Sequence, residues 1–426
     1  MLFNEYKGSL KGNIKVPGDK SISHRSIMMG ALGKGKTQVS GFLLGEDCLS
    51  TIECFKDMGV DIKITEKIVE INGVGLKGLK DPDKTLDAGN SGTTIRLISG
   101  ILAGQNFKTK ITGDNSLKNR PMDRIAEPLS EMGAKIECSN GKYPPMTIYP
   151  TKKIKGINYI QKKASAQVKS AILLAGLYSD DEVRVIQPEK SRDHTEKMFK
   201  FFGINIDSEG KEVILKKGAK NFNGKEIFVP GDISSAAFYI VAASIFENSH
   251  IIIKDVGLNE TRTGIIDVML KMGAEINILN KKTINEEEVG DVEVVYNKLK
   301  GIEISGEIIP RIIDEIPIIA LAAVYAEGNT VIKNAEELKV KESNRIEAVC
   351  EELSKLGAKI QEKKDGMIIK GTKKLTGSRV KSRGDHRIAM MLAVAGEKAE
   401  GKTEVDDFEC ANISNPEFIQ IFNNLK

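Results

Sequence analysis

Apolar and polar positions along the chain follow one pattern that keeps returning. A helical stretch ends, a glycine follows and an apolar/polar alternation begins: DMGVDIKI (57–64), EMGAKIEC (131–138), FFGINID (201–207), KMGAEINI (271–278) and KLGAKIQE (355–362). The glycine supplies the left-handed residue that stops a helix, and alternation with period two marks a half-buried strand. The five phrases stand about 70 to 84 residues apart, a spacing at which each repeat is a supersecondary unit in itself. Six further stretches are rich in small apolar residues: SISHRSIMMGAL (21–32), SGTTIRLISGILAG (91–104), AQVKSAILLAGL (166–177), ISSAAFYIVAASIF (233–246), DEIPIIALAAVYA (314–326) and DHRIAMMLAVAG (385–396). Their composition predicts helices packed closely inside a domain, since Ala and Gly allow close approach. Six α/β units result. The sixth lacks a strand after its second helix, where the chain reads PEFIQIFNNLK, and the N-terminal LFNEYKG is the expected substitute, which puts both ends in one domain.

The phrase VPGD occurs at 16–19 and again at 229–232. Read as two crossovers, these phrases predict one domain over 19–231 and a second joining 1–18 with 232–426, with the interdomain cleft as the expected ligand site. A length of 426 residues serves two cores more readily than one. Apolar residues at 40% against aromatics at 5%, with no Trp, predict cores of Ile, Leu, Val, Ala and Met. Lys+Arg 63 against Asp+Glu 59 leaves +4, too balanced for nucleic acid as the main partner, so any use of cations is local. The five cysteines and four histidines show neither a disulfide framework nor zinc-ligand spacing, and no metal or other cofactor is expected. Neither a signal-peptide core nor a membrane-length apolar run occurs, so a reduced, cytoplasmic protein is expected, with monomer as the default state.

Two glycine motifs mislead. Residues 30–37, GALGKGKT, fit the P-loop pattern, but a helix precedes them and a strand-like TQVSGFL follows, the reverse of what the motif's mechanism needs. Residues 73–78, GVGLKG, match GxGxxG but run into LKDPDKTLDAG, which cannot open a helix and reads as a surface turn.

The chemistry-bearing signals sit at helix starts. In VPGDKSISHR (16–25), Asp19 or Ser21 can cap a helix whose first turn carries Lys20, Ser21 and Arg25. Two cations and a hydroxyl thus gather where unpaired N–H groups and the macrodipole favour an anion. The glycine-rich GNSGTT (89–94) precedes Arg96 and lets backbone N–H groups approach a ligand. Ser165 and Gln167 open the third helix with Lys169 one turn in; Asp314 and Glu315 open the fifth; Asp385, His386 and Arg387 open the sixth. Second helices add Arg120 (KNRP), Ser191 and Arg192 (EKSRDH), and Lys341, Glu342 and Arg345 (KVKESNR). Any one of these alone reads as a solvated charge. Their recurrence at equivalent repeat positions points to one anion-binding site.

PGDKSISHR, DAGNSGTTIR, NRPM, SAQVKSAILLAGL, IDEIPIIALAA, KVKESNRI and RGDHRIAM, in this order over nearly the whole chain, resemble the enolpyruvyl transferase family, in its branch acting on shikimate 3-phosphate. The resemblance implies a two-domain α/β fold, an inside-out α/β barrel of six βαβαββ repeats, three per domain. It implies transfer of the enolpyruvyl group of phosphoenolpyruvate to the 5-hydroxyl of shikimate 3-phosphate, with release of phosphate, on the route to aromatic amino acids. Lys20, Ser21, Arg25, Ser165, Ala166, Gln167, Ser191, Asp314 and Lys341 would then bind shikimate 3-phosphate. Lys20, Asn90, Gly92, Arg120, Gln167, Arg345 and Arg387 would hold phosphoenolpyruvate. Asp314 matches the base for the hydroxyl, and Glu342 and Lys20 match the groups that deliver and return a proton.

Three positions depart from or bear on the pattern. Asn412 in ANISNPEF stands where many relatives carry Lys, and Ala166 follows Ser165 where many have a second serine. Gly92 is retained where glyphosate-tolerant members often have Ala, which implies a glyphosate target. The sister transferase acting on UDP-N-acetylglucosamine is the nearest rival, but it typically starts GAKNA and carries a reactive loop cysteine, where this chain has KSISHR. A non-catalytic anion-binding repeat protein would keep the arginines and need neither Asp314 nor Glu342.

Overall fold

Residues 1–66, 68–217, 221–372 and 374–426 are described by the computed structural model. The chain divides into an inserted unit, Gly18–Val229 with Ile284–Glu287, and a terminal unit, Met1–Pro17, Pro230–Thr283 and Glu288–Lys426.

In the inserted unit the helices are α1 (Lys20–Leu32), α2 (Glu46–Asp57), α3 (Gly92–Leu102), α4 (Asp123–Glu131), α5 (Ala166–Gly176) and α6 (His194–Phe201). The small-residue stretches became α1, α3 and α5, which are buried almost all round because sheets and helices cover every face. Close packing has a local cause: a Cβ on Gly100 of α3 would fall against the Ala171 carbonyl oxygen of α5. The glycines that end five helices (Gly59, Gly133, Gly203, Gly273, Gly357) have φ between +79° and +96°, and a strand follows each, as the repeated phrase predicts. Neither misleading motif opens a helix. Residues 30–37 run from the end of α1 into strand Lys34–Ser40, and strand Ile68–Val74 ends in a turn.

The terminal unit holds α7 (Ile233–Ile245), α8 (Gly264–Lys271), α9 (Ile309–Ile312), α10 (Ile316–Tyr325), α11 (Arg345–Lys355) and α12 (His386–Lys398). All thirteen residues of α7 are buried, as are 316–324 of α10 and 386–397 of α12.

Among the described residues the strands form six small sheets, five of four strands and one of three. In the four-stranded sheets a parallel pair is followed by two antiparallel partners, for example Ile157–Ile160, Val183–Ile186, Glu212–Leu215 and Ile206–Glu209. The three-stranded sheet is the sixth unit's, and strand Leu2–Asn4 pairs antiparallel with Lys402–Asp406 there. Strand exchange marks both crossings. Lys11–Lys15 precedes α1 in sequence but pairs in parallel with His250–Gly257 of the terminal unit. Glu226–Phe228 precedes α7 but pairs in parallel with Lys34–Ser40 of the inserted unit.

The observed crossings lie at 17/18 and 229/230, where 18/19 and 231/232 were expected, and the tip Ile284–Glu287 groups with the inserted unit. Side chains explain the tip: Asn285 Oδ1 accepts from the Phe228 amide at 2.9 Å, and Glu287 Oε1 lies 2.7 Å from His194 Nδ1. No periodicity in the sequence encodes such contacts.

Candidate active site

Each central helix of the inserted unit starts on a side-chain cap. Asp19 accepts from the Ile22 amide at 2.9 Å, Ser91 from Thr94 at 3.1 Å and Ser165 from Val168 at 3.4 Å. Capping satisfies one orphan amide and leaves the others of that first turn for a ligand. The Lys20 ammonium lies 3.0 Å from Asp47 Oδ2 of α2. Arg25, 5% exposed, points its guanidinium at neutral groups: Nε donates to Thr195 Oγ1 at 2.7 Å, one terminal nitrogen to Ser170 Oγ at 2.8 Å and the other to the Ser21 carbonyl at 3.0 Å. Burial lowers its pKa to about 10, against the pull of Glu196 and Asp19. This cation is thus desolvated, with hydroxyls and a carbonyl as its immediate partners.

A second group forms around the start of α3. Arg120 donates to Asn90 Oδ1 at 2.7 Å, and Arg96 donates to Gln167 Oε1 at 2.7 Å. Gln167 in turn donates to Thr93 Oγ1 at 3.1 Å. Gly92 lies under both arginines, since a Cβ there would stand 2.9 Å from a terminal nitrogen of Arg96 and 3.4 Å from one of Arg120. Asn90, Gly92, Arg120 and Gln167 are therefore brought together. Ser191 closes on Gln187 Oε1 through both its amide and its hydroxyl, and the Ala166 amide opens α5. Behind these groups runs a buried chain of hydroxyls. His24 Nδ1 is 2.7 Å from Thr51 Oγ1, which is 2.7 Å from Thr94 Oγ1, which donates to Ser91 Oγ at 2.7 Å. Burial first, then Lys20 and Arg25, lower the His24 pKa well below the usual 6.5.

The terminal unit gathers carboxylates. Arg345, 1% exposed, donates Nε to Asp385 Oδ2 at 2.8 Å and its terminal nitrogens to Glu342 Oε2 at 2.7 Å and Asp314 Oδ1 at 3.2 Å. Burial opposes its charge, but Asp385, Glu342 and Asp314 outweigh that and raise its pKa. Asp385 also caps α12 through the Arg387 amide at 2.9 Å, and despite burial Arg345 holds its carboxyl below the usual range. Arg387 lies 3.8 Å from Asp314 Oδ2 and 4.0 Å from Glu315 Oε1. Asp314, Glu342, Arg345 and Arg387 thus form one cluster. Lys341 turns to Glu337, 3.3 Å away, and Asn412 is exposed on the turn Phe408–Ile413.

The sequence did not single out Asp47, Ser170, Thr195 or Glu196, which hold Lys20, Arg25 and Lys169. Their only signal is that Lys169 and Glu196 are charged residues on largely apolar helix faces, which calls for a partner. Among the described residues no group of three or more His, Cys, Asp and Glu is placed to hold a metal ion, and no helix is long and apolar enough to cross a membrane.

The profile of the family described as EPSP synthase (3-phosphoshikimate 1-carboxyvinyltransferase) matches residues 5–422. A curated 3-phosphoshikimate 1-carboxyvinyltransferase from Thermoanaerobacter sp. (strain X514) is 56% identical over 419 residues, covering 98% of each chain. Another from Petrotoga mobilis is 51% identical over 421 residues, again covering 98% of each. A solved structure of EPSP synthase from Acinetobacter baumannii superposes with a TM-score of 0.90 at 43% identity, covering 100% of this chain and 98% of that one.

Proposed function

Since the chain belongs to the EPSP synthase family, we propose that it moves the enolpyruvyl group of phosphoenolpyruvate to the 5-hydroxyl of shikimate 3-phosphate and that its two clusters share that work. The supporting observation is an asymmetry of charge. The inserted unit offers Arg25, held by two hydroxyls and a carbonyl, and the terminal unit offers carboxylates gathered on Arg345.

Two phosphates and two carboxylates must be bound, and each charge-assisted hydrogen bond is worth about 1.5 to 3 kcal/mol. In this reading Lys20, Ser21, Arg25, Ser165, Ala166, Gln167, Ser191 and Lys341 hold shikimate 3-phosphate. Asn90, Gly92, Arg120, Gln167, Arg345 and Arg387, with Lys20, hold phosphoenolpyruvate. Asp314 accepts the proton of the 5-hydroxyl as its oxygen bonds to C2 of phosphoenolpyruvate, while Glu342 or Lys20 protonates C3. The tetrahedral adduct then loses a proton from the new methyl group and expels phosphate, restoring the double bond. Asp314 and Glu342 both lie on Arg345, so binding an anion there competes with their ion pairs and frees carboxylate oxygens for proton transfer.

The test is phosphate release from phosphoenolpyruvate with shikimate 3-phosphate, UDP-N-acetylglucosamine or no acceptor. Release is expected with shikimate 3-phosphate alone, falling about 10²- to 10⁴-fold in Asp314→Ala. Release only with the nucleotide sugar would assign the sister reaction, and binding without release would leave an anion-binding protein. The thiols argue against the sister's reactive cysteine: burial pushes Cys350 up to about 12 and Cys410 to about 11, and also raises Cys138. A cytoplasmic monomer completes the proposal, in keeping with five cysteines in the free thiol form, and light scattering on the eluting protein checks the mass.

A further inference from the structure

Beneath Arg25 lies a buried ion pair with no part in the mechanism above. Lys169 on α5 and Glu196 on α6 are 1% and 2% exposed, and Nζ stands 2.6 Å from Oε1. Neither Glu196 oxygen makes a well-directed hydrogen bond, so its charge is balanced through space. Lys169 Nζ also reaches the Ser191 carbonyl at 3.4 Å. The adjoining residues Ser170 and Thr195 are hydrogen-bonded to each other at 2.6 Å, and Arg25 donates to both. Lys169–Glu196 and Ser170–Thr195 are thus successive ties between the same two helices. Arg25 docks on the second tie, and Ser191 hangs on the first. Glu196 leads the charges that help Arg25 keep its proton.

We propose that Lys169 and Glu196 are positioning residues that set affinity for the anionic acceptor: Glu196 offsets part of the Arg25 charge, and Lys169 offsets Glu196 while holding the Ser191 loop. The pair is a fixed internal counter-charge that touches no substrate. Removing one partner changes the field at Arg25 in a direction set by which partner is lost, because charges this deep are weakly screened. Removing both leaves the net charge as it was.

The identity of the acceptor rests on the proposed function, so the test has two readouts. In steady state, Glu196→Gln should lower KM for shikimate 3-phosphate about threefold or more, and Lys169→Met should raise it about tenfold. The double variant should return within about threefold of wild type, and KM for phosphoenolpyruvate should stay within that margin throughout. Singles that both raise KM, or a phosphoenolpyruvate KM that moves as far, would reduce the pair to a fold-stabilising contact and overturn the proposal. Should one single variant not fold, the other decides by the direction of its KM shift, and a double variant raised by more than threefold overturns the role whichever single is lost. If wild type does not turn over shikimate 3-phosphate, that reading of the function fails by itself. Calorimetric titration with inorganic phosphate then ranks the proteins, with Glu196→Gln expected tightest and Lys169→Met weakest; the reverse order sinks the inference.

Discussion

Arg25 and Arg345 are both buried arginines beside helix starts, yet their surroundings are opposite. Arg345 is saturated by Asp385, Glu342 and Asp314, and its proton is held more tightly than usual. Arg25 rests on two hydroxyls and a carbonyl, and burial lowers it to about 10. A cation desolvated among neutral groups gains from any anion that arrives, so the fold has accepted a cost that a ligand removes. A cation already carrying three carboxylates gains little net charge from a new one; what it can do is exchange partners, which liberates a base. In the proposed reaction the first surrounding suits attraction of an anion and the second suits release of a base.

Arg345→Ala should be the strongest breaker of this contrast, because it takes a shared buried guanidinium away from three carboxylates: a loss of about 3 to 5 kcal/mol, read from urea unfolding. Arg25→Ala should cost only about 1 kcal/mol, since Ser170 and Thr195 keep each other as partners, while raising KM for shikimate 3-phosphate roughly 10- to 100-fold. Equal urea midpoints for the two variants would erase the distinction. Acid sharpens it further. His24 has a folded pKa below 6.5, so the unfolded chain takes up the proton first, and its contribution is full above pH 6.5 and shrinks as pH falls below that. Asp385 is also lowered, but from 3.8, so its contribution persists until pH falls through the carboxylate range. Amide protection, taken relative to the intrinsic exchange rate at each pH, should consequently fall in the inserted unit first between pH 7 and 5. His24→Asn should remove a dependence of up to about 1.4 kcal/mol per pH unit; an unchanged slope would exclude His24 as its source. The smallest structural effect belongs to Gly92→Ala, with stability within about 1 kcal/mol because helix propensity offsets crowding against Arg96 and Arg120. Wild type should be inhibited by millimolar glyphosate and this variant less so, and indifference of the wild type would count against the placement of phosphoenolpyruvate at Gly92.

The central helices were legible because six apolar stretches and five glycine stops repeat a local rule. Of their caps, Asp19 was legible beside Ser21 as a candidate, whereas Ser91, Ser165 and Asp385 were legible only as residues at helix starts. Exchange of the two first strands was not, since pairing Lys11–Lys15 with His250–Gly257 obeys no local pattern. Of the site, residue types at helix starts could be read, but their partners could not. Nothing in KVKESNR says that Arg345 reaches Asp385, and nothing in SRDHTEK says that Thr195 receives Arg25. Lys341 shows the limit from the other side, since its motif is intact while its side chain turns to Glu337.

The exchanged strands also set a timetable for synthesis. The tie between Lys225 and Thr37 joins residues 188 positions apart, and that between Leu10 and Ser249 joins residues 239 positions apart. At about 5 to 20 residues per second, Lys34–Ser40 waits roughly 10 to 40 s on the ribosome for its parallel neighbour. Lys11–Lys15 waits longer still. Two strand edges of the nascent chain thus stay open through much of translation, and protecting them in that interval falls to whatever greets the chain at the tunnel exit.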